Sequence, residues 1–114
     1  MNDLAMEKLD QDIMNWIERE AADEVLTQQI KAVRVSKRDY MRTGFFIYFD
    51  LPEDIQLLAE GFKASCPHIA SPELPDGAGC DLFARGGRLH YLEIYARGGF
   101  FPATLEHYEL SHNA

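Results

Sequence analysis

The sequence predicts an α+β fold: an N-terminal helix, or two, packed on a four- to five-stranded antiparallel sheet built from hairpins. Three observations predict it. Apolar residues near the N-terminus recur at three- and four-residue spacing, which is the period of one helix face. From Lys31 that period gives way to alternation and to short aromatic and β-branched runs, the pattern of strands. Gly86-Gly87 then separates two apolar-rich runs, and Gly98-Gly99 closes the second, as in a tight hairpin.

The first helix is predicted over residues 4–19. Met6, Leu9, Ile13, Trp16 and Ile17 form its apolar face, and Asp3 is the expected N-cap. Neither proline nor glycine interrupts the chain before Val33, so the break expected between Glu20 and Asp23 rests on the second apolar spacing, Ala22, Leu26 and Ile30. Val33 and Val35 then alternate with Arg34, Ser36 and Arg38, and a turn through 41–44 leads into Phe45-Phe46-Ile47-Tyr48-Phe49, which Pro52 stops. These runs form the first hairpin.

Residues 53–63 fit either a helix or a loop. Residues 64–78, carrying Pro67, Pro72 and Pro75, read as a long connection. A two-residue turn at Gly86-Gly87 sets the register of the second hairpin, pairing Arg85 with Arg88, Phe83 with His90, Asp81 with Leu92 and Cys80 with Glu93. That register places Cys80, Leu82, Ala84, Leu89, Tyr91, Glu93 and Tyr95 on one nearly apolar face. Residues 103–110 supply a last strand with Tyr108 and Leu110 toward the core.

The 114 residues, 46% hydrophobic and 26% charged, make one domain, 1–114. A chain of this size buries roughly 65% of its unfolded surface, enough for one core. The net charge of −8 repels a nucleic-acid backbone and argues against DNA or RNA as a partner. It would steer a basic protein toward the chain, although net charge also simply serves solubility. The charge is uneven: residues 1–26 hold eight acids and two bases, whereas residues 27–50 hold five bases and two acids. No basic n-region and apolar h-region mark a signal peptide, and no run approaches the ~20 apolar residues that cross a bilayer. These features predict a cytoplasmic protein with its two cysteines reduced.

Glu93 is the candidate for chemistry, and two readings apply. In one, Glu93 lies with Tyr91 and Tyr95 in an apolar pocket between sheet and helix, binding a ligand or exchanging a proton at a raised pKa. In the other it is structural, accepting hydrogen bonds from a tyrosine hydroxyl or an amide, or pairing with an arginine. Structural networks perturb pKa values too, which favours the second.

Other constellations carry less. Cys66, His68, Cys80 and Asp81 match no zinc-ligand spacing, and His90, His107 and His112 do not complete one. No metal or cofactor is assigned. A nucleophile pair of Cys66 or Cys80 with His90 is opposed by the register, which points Cys80 and His90 to opposite faces. The Gly-Gly pairs lack the lysine and the βαβ setting of a phosphate loop. Lys31, Arg34, Lys37, Arg38 and Arg42 form a basic cluster; Arg34, Ser36, Arg38 and Tyr40 share one face of a strand, expected to be solvated.

Thr43-Gly44-Phe45-Phe46-Ile47-Tyr48-Phe49, Gly87-Arg88-Leu89-His90-Tyr91-Leu92-Glu93 and Phe101-Pro102, in that order, resemble small bacterial α+β proteins, some of them similar to the immunity partners of secreted toxins. The resemblance spans the C-terminal two thirds and implies no catalytic residue. Together the observations favour a non-enzymatic protein-binding module, an immunity-type inhibitor of a basic partner. The alternative is a small-molecule-binding or enzymatic pocket between sheet and helix centred on Glu93. A homodimer burying strand 45–49 is the third reading.

Overall fold

The structure, a computed structural model, describes residues 6–113. Two helices, α1 (Lys8–Ala21) and α2 (Glu24–Ala32), precede six strands: β1 (Arg34–Met41), β2 (Gly44–Asp50), β3 (His68–Ser71), β4 (Leu74–Arg85), β5 (Arg88–Ala96) and β6 (Glu109–Ser111). The strands form one sheet in the order β1-β2-β5-β4-β3-β6, and every paired neighbour is antiparallel. The α+β class expected from the sequence is therefore the fold, with one strand more than the four or five predicted.

The first helix starts later than its periodicity suggested. Its N-cap is Glu7, whose N–H donates to Asp10 Oδ2 at 3.2 Å; the expected cap, Asp3, lies outside the described residues. The break falls where it was placed. Ala22 adopts a left-handed conformation (φ 47°) and donates its N–H to the Glu18 carbonyl, so Ala22 caps α1 and does not join the face of α2. Asp23 then caps α2, accepting the Leu26 N–H at 3.0 Å. Leu9, Ile13, Met14, Ile17 and Leu26 are buried against Ile47, Leu92 and Ile94 of the sheet.

Two predicted segments are corrected. Residues 64–78 are not a plain connection: they hold β3 and the start of β4, with Pro72 in the turn between them. Proline suits that turn, where no ladder N–H is needed. Residues 53–63 are neither helix nor strand, although Leu58 is buried and its N–H donates to the Gly87 carbonyl at 2.8 Å.

The second hairpin departs from the predicted register. Arg85 pairs with Arg88 as expected, but Ala84 pairs with Leu89 and Phe83 with Tyr91. One extra residue on β5, His90, forms a β-bulge. Beyond it Leu82 faces Leu92, Asp81 faces Glu93 and Cys80 faces Ile94. The slip exchanges the faces of β5 relative to the prediction. Ala78, Cys80, Leu89, Leu92 and Ile94 are buried, while Tyr91, Glu93 and Tyr95 turn the other way.

A second irregularity at Ser36 in β1 has a similar effect. Arg38, expected on a solvated face, points at the helices and pairs with Asp10, with Glu7 Oε2 3.7 Å from its Nε. Asp10 is 2% exposed. A buried acid of this kind needs such a partner.

Candidate functional site

Both helices lie on one face of the sheet, so the opposite face has no second layer among the described residues. Register places its side chains in rows across the strands. Lys37, Tyr48, Tyr91 and Phe83 form one row; Asp39, Phe46, Glu93 and Asp81 form the next; Met41, Gly44, Tyr95 and Gly79 form the third.

The first row is an aromatic platform. The Phe83 and Tyr91 rings stack at 4.5 Å, and Tyr91 lies 5.6 Å from Tyr48 and 5.7 Å from Phe46. Each such pair contributes about 0.5–1.5 kcal/mol beyond burial. Phe83 nonetheless stays 38% exposed, and Met41 at the end of this face is more open still, as is the loop residue Phe100. Arg42 lies over the Phe100 ring at 4.6 Å.

In the third row Gly79 makes room for the Tyr95 ring and Gly44 for the backbone of β5. A Cβ at Gly79 would stand 2.6 Å from the tyrosine ring, and one at Gly44 would stand 1.9 Å from the Ile94 carbonyl oxygen. The Arg97 guanidinium lies 5.9 Å from the Tyr95 ring centre, and its Nε donates to His68 Nδ1 at 3.1 Å.

Between these rows sit the acids. Asp81 and Glu93 are direct cross-strand partners. Partial burial raises the pKa of both, the Asp81 charge adds to the rise at Glu93, and Arg97 tempers that at Asp81. Burial likewise raises the Tyr95 hydroxyl, with Asp81 adding to it. Asp39, at the edge of the row, pairs with Lys37 at 3.4 Å.

The predicted trio of Glu93, Tyr91 and Tyr95 thus shares one face, but not in a pocket between sheet and helix. That placement is corrected by the bulge at His90. The hydrogen bonds expected of a structural Glu93 are also missing: among the described residues none accompanies it. Sequence reasoning overlooked Phe46, Phe83 and Asp81 as its companions. The signal was present in residues 45–49, where apolar side chains occupy every position, leaving neither face of the strand polar.

The remaining candidates separate. Among the described residues no three His, Cys, Asp or Glu side chains converge to hold a metal ion. Cys80 faces Ile94, well along the strand from His90, so the two form no pair. Cys66 Sγ lies 3.8 Å from the Ala64 carbonyl oxygen, and Cys80 Sγ 3.4 Å from that of Pro67. A hollow of about 590 Å³ lies elsewhere, lined by residues of 70–72 and 106–109. No helix among the described residues is long and apolar enough to cross a membrane.

No family model, no curated protein and no solved structure matches this chain.

Proposed function

We propose that this protein is a non-enzymatic, cytoplasmic binding module that docks a basic segment of a partner protein on its open sheet face, in the manner of an immunity-type inhibitor. The observation that carries the reading is the Asp81–Glu93 pair. Two carboxylates face each other within an aromatic surface and, among the described residues, no cation lies within ion-pair distance of either.

Like charges directly opposed across a sheet are unfavourable. An arginine from outside relieves that repulsion. Its guanidinium fits carboxylates in a fork, and its flat faces suit aromatic rings. Exposed aromatics are the residues that anchor protein interfaces. A second copy of this chain fits less well, since a two-fold contact through this face would bring four carboxylates together. Two free cysteines accord with a reducing compartment.

The test is a titration with an arginine-rich peptide beside its uncharged citrulline counterpart, followed by backbone amide shifts. Shifts are expected at Phe46, Phe83, Tyr91 and Glu93, only with the charged peptide. They should weaken as salt rises, because exposed charges are screened beyond about 8 Å at physiological ionic strength. Glu93→Lys should abolish them. Shifts confined to the helices, or indifferent to salt, would overturn the reading.

A further inference from the structure

Given the docking face proposed above, on which this rests, we infer that the partner segment carries an acidic side chain four residues from its arginine. Arg85 and Arg88, at the tip of the β4–β5 hairpin, receive that acid. The two are direct cross-strand partners, the basic counterpart of Asp81 and Glu93. Like charges so placed repel each other, and among the described residues no carboxylate lies within ion-pair distance of either arginine. Arg88 is nevertheless held in place, because its Nη2 donates to the carbonyls of Leu51 and Pro52, each at 2.9 Å. Carbonyls orient a guanidinium without neutralising it. Arg85 beside it is exposed.

The basic and the acidic pair stand on one face. Alternation along β4 puts Arg85, Phe83 and Asp81 on the same side, and their partners Arg88, Tyr91 and Glu93 lie with them. The His90 ring at the bulge is 5.2 Å from that of Tyr91 and 6.1 Å from that of Tyr48. With Arg85, Arg88 and Asp50 it lines a shallow hollow of about 230 Å³ at the end of the aromatic row.

Along β4 the face therefore runs from acid through aromatic to base. Asp81 and Arg85 stand four residues apart, about 13 Å at the rise of a strand. An extended segment lying over β4 and β5 has the same rise and the same alternation. An arginine set above Asp81 and Glu93 places the second residue after it over Phe83 and Tyr91, and the fourth over Arg85 and Arg88. Both strands are already paired on each side within the sheet, so side chains hold the segment and no strand is added. Arg97 lies beyond the acids at the other end, but its Nε and Nη2 donate to His68 at 3.1 Å and Asn113 at 2.9 Å. The hairpin tip is thus the seat for an acid.

The experiment titrates the folded full chain at low salt with three capped peptides. The first carries arginine, leucine and glutamate at alternate positions. The second has glutamine in place of the glutamate, and the third exchanges the leucine and the glutamate. Amide shifts at Phe83 and Glu93 report docking, and the Nε–H signals of Arg85 and Arg88 report the acid. The first peptide is expected to bind about two- to fivefold tighter than the other two, the gain that an exposed ion pair supplies, and alone to move the arginine signals. On Arg85→Gln the first two peptides should bind alike. Equal affinities on wild type with Phe83 and Glu93 still shifting, or a glutamate preference that survives Arg85→Gln, would overturn the inference and leave the docking face standing. No shift at Phe83 or Glu93 with any peptide would refute the docking face, and the inference with it.

Discussion

Asp81 and Glu93 confront each other across β4 and β5 on the face opposite the two helices. The pair costs the isolated protein some stability, and that cost gives both residues a pH signature.

A carboxyl whose folded pKa stands above its unfolded value is at no disadvantage below the unfolded pKa; the stability tied to it is lost as pH rises through the folded pKa. Glu93 has this direction, from burial first and Asp81 second. Glu93→Gln is therefore expected to match wild type in acid and to be more stable near neutral pH. The gain should be roughly 0.5 kcal/mol or less once solvent screening is counted. Urea unfolding at an acidic and a neutral pH checks it; a less stable Gln variant at neutral pH would refute it.

Asp12 should behave in the opposite sense. Lys8 Nζ at 2.7 Å and the Tyr108 hydroxyl at 2.6 Å both donate to its Oδ2 and hold its pKa down. Stability from this group is present above the unfolded pKa and lost as pH falls through the folded one. Asp12→Asn should cost at most about 1 kcal/mol at neutral pH, with the difference vanishing in acid. A cost that grows on acidification would contradict the assignment.

The Arg38–Asp10 pair is the opposite case to the unpaired acids. Asp10 is almost fully buried, and removing it strands Arg38 at the helix–sheet boundary. Asp10→Ala is expected to cost about 3–5 kcal/mol. The double change Asp10→Leu, Arg38→Met should recover most of that loss, since an apolar pair can replace a buried ion pair. Thermal melts of the single and double variants decide it.

The two glycines beside Tyr95 should respond differently to alanine. At Gly44 the added carbon meets the fixed Ile94 backbone, whereas at Gly79 it meets a ring that can swing away. Gly44→Ala should break the β2–β5 pairing. Gly79→Ala should fold and displace Tyr95, visible as changed tyrosine ring shifts. Equal stabilities for the two would show that the close approach at Gly44 is not real.

Ile13 is fully buried under the sheet. Ile13→Ala should cost about 2–5 kcal/mol, read from the urea midpoint.

How far the sequence could be read depends on the kind of information each element needs. The helices and the strand over residues 45–49 announce themselves because apolar period and caps are local properties. The break at Ala22 was legible from spacing alone. The hairpin register was not, because nothing in Leu89-His90-Tyr91 marks His90 as the extra residue. That single bulge decides whether Glu93 lies under the helices or away from them. β3 was missed because Pro67, Pro72 and Pro75 suggest loop, and its four residues are too short for alternation to show. The site was thus half visible: its residue types could be named, but its face and its second carboxylate, Asp81, came only from the register.

Gln29 bears on that register from the far side of the molecule. Its fully buried amide donates from Nε2 to the carbonyls of Gln56 and Gly87, each at 2.8 Å, and its Oε1 accepts the Leu89 N–H at 2.9 Å. Gly87 lies in the hairpin turn and Leu89 just beyond it, so the amide is satisfied only when the turn closes at Gly86-Gly87. A hairpin slipped by one residue would leave it unpaired inside the core, at a cost of about 1–3 kcal/mol. Gln29→Leu should therefore admit a second hairpin alignment, detectable as doubled amide signals at Leu89 and Phe83; a single set would rule this out. Helix α2 in this way proofreads the hairpin, and which side chains meet the outside world is checked by a residue that never does.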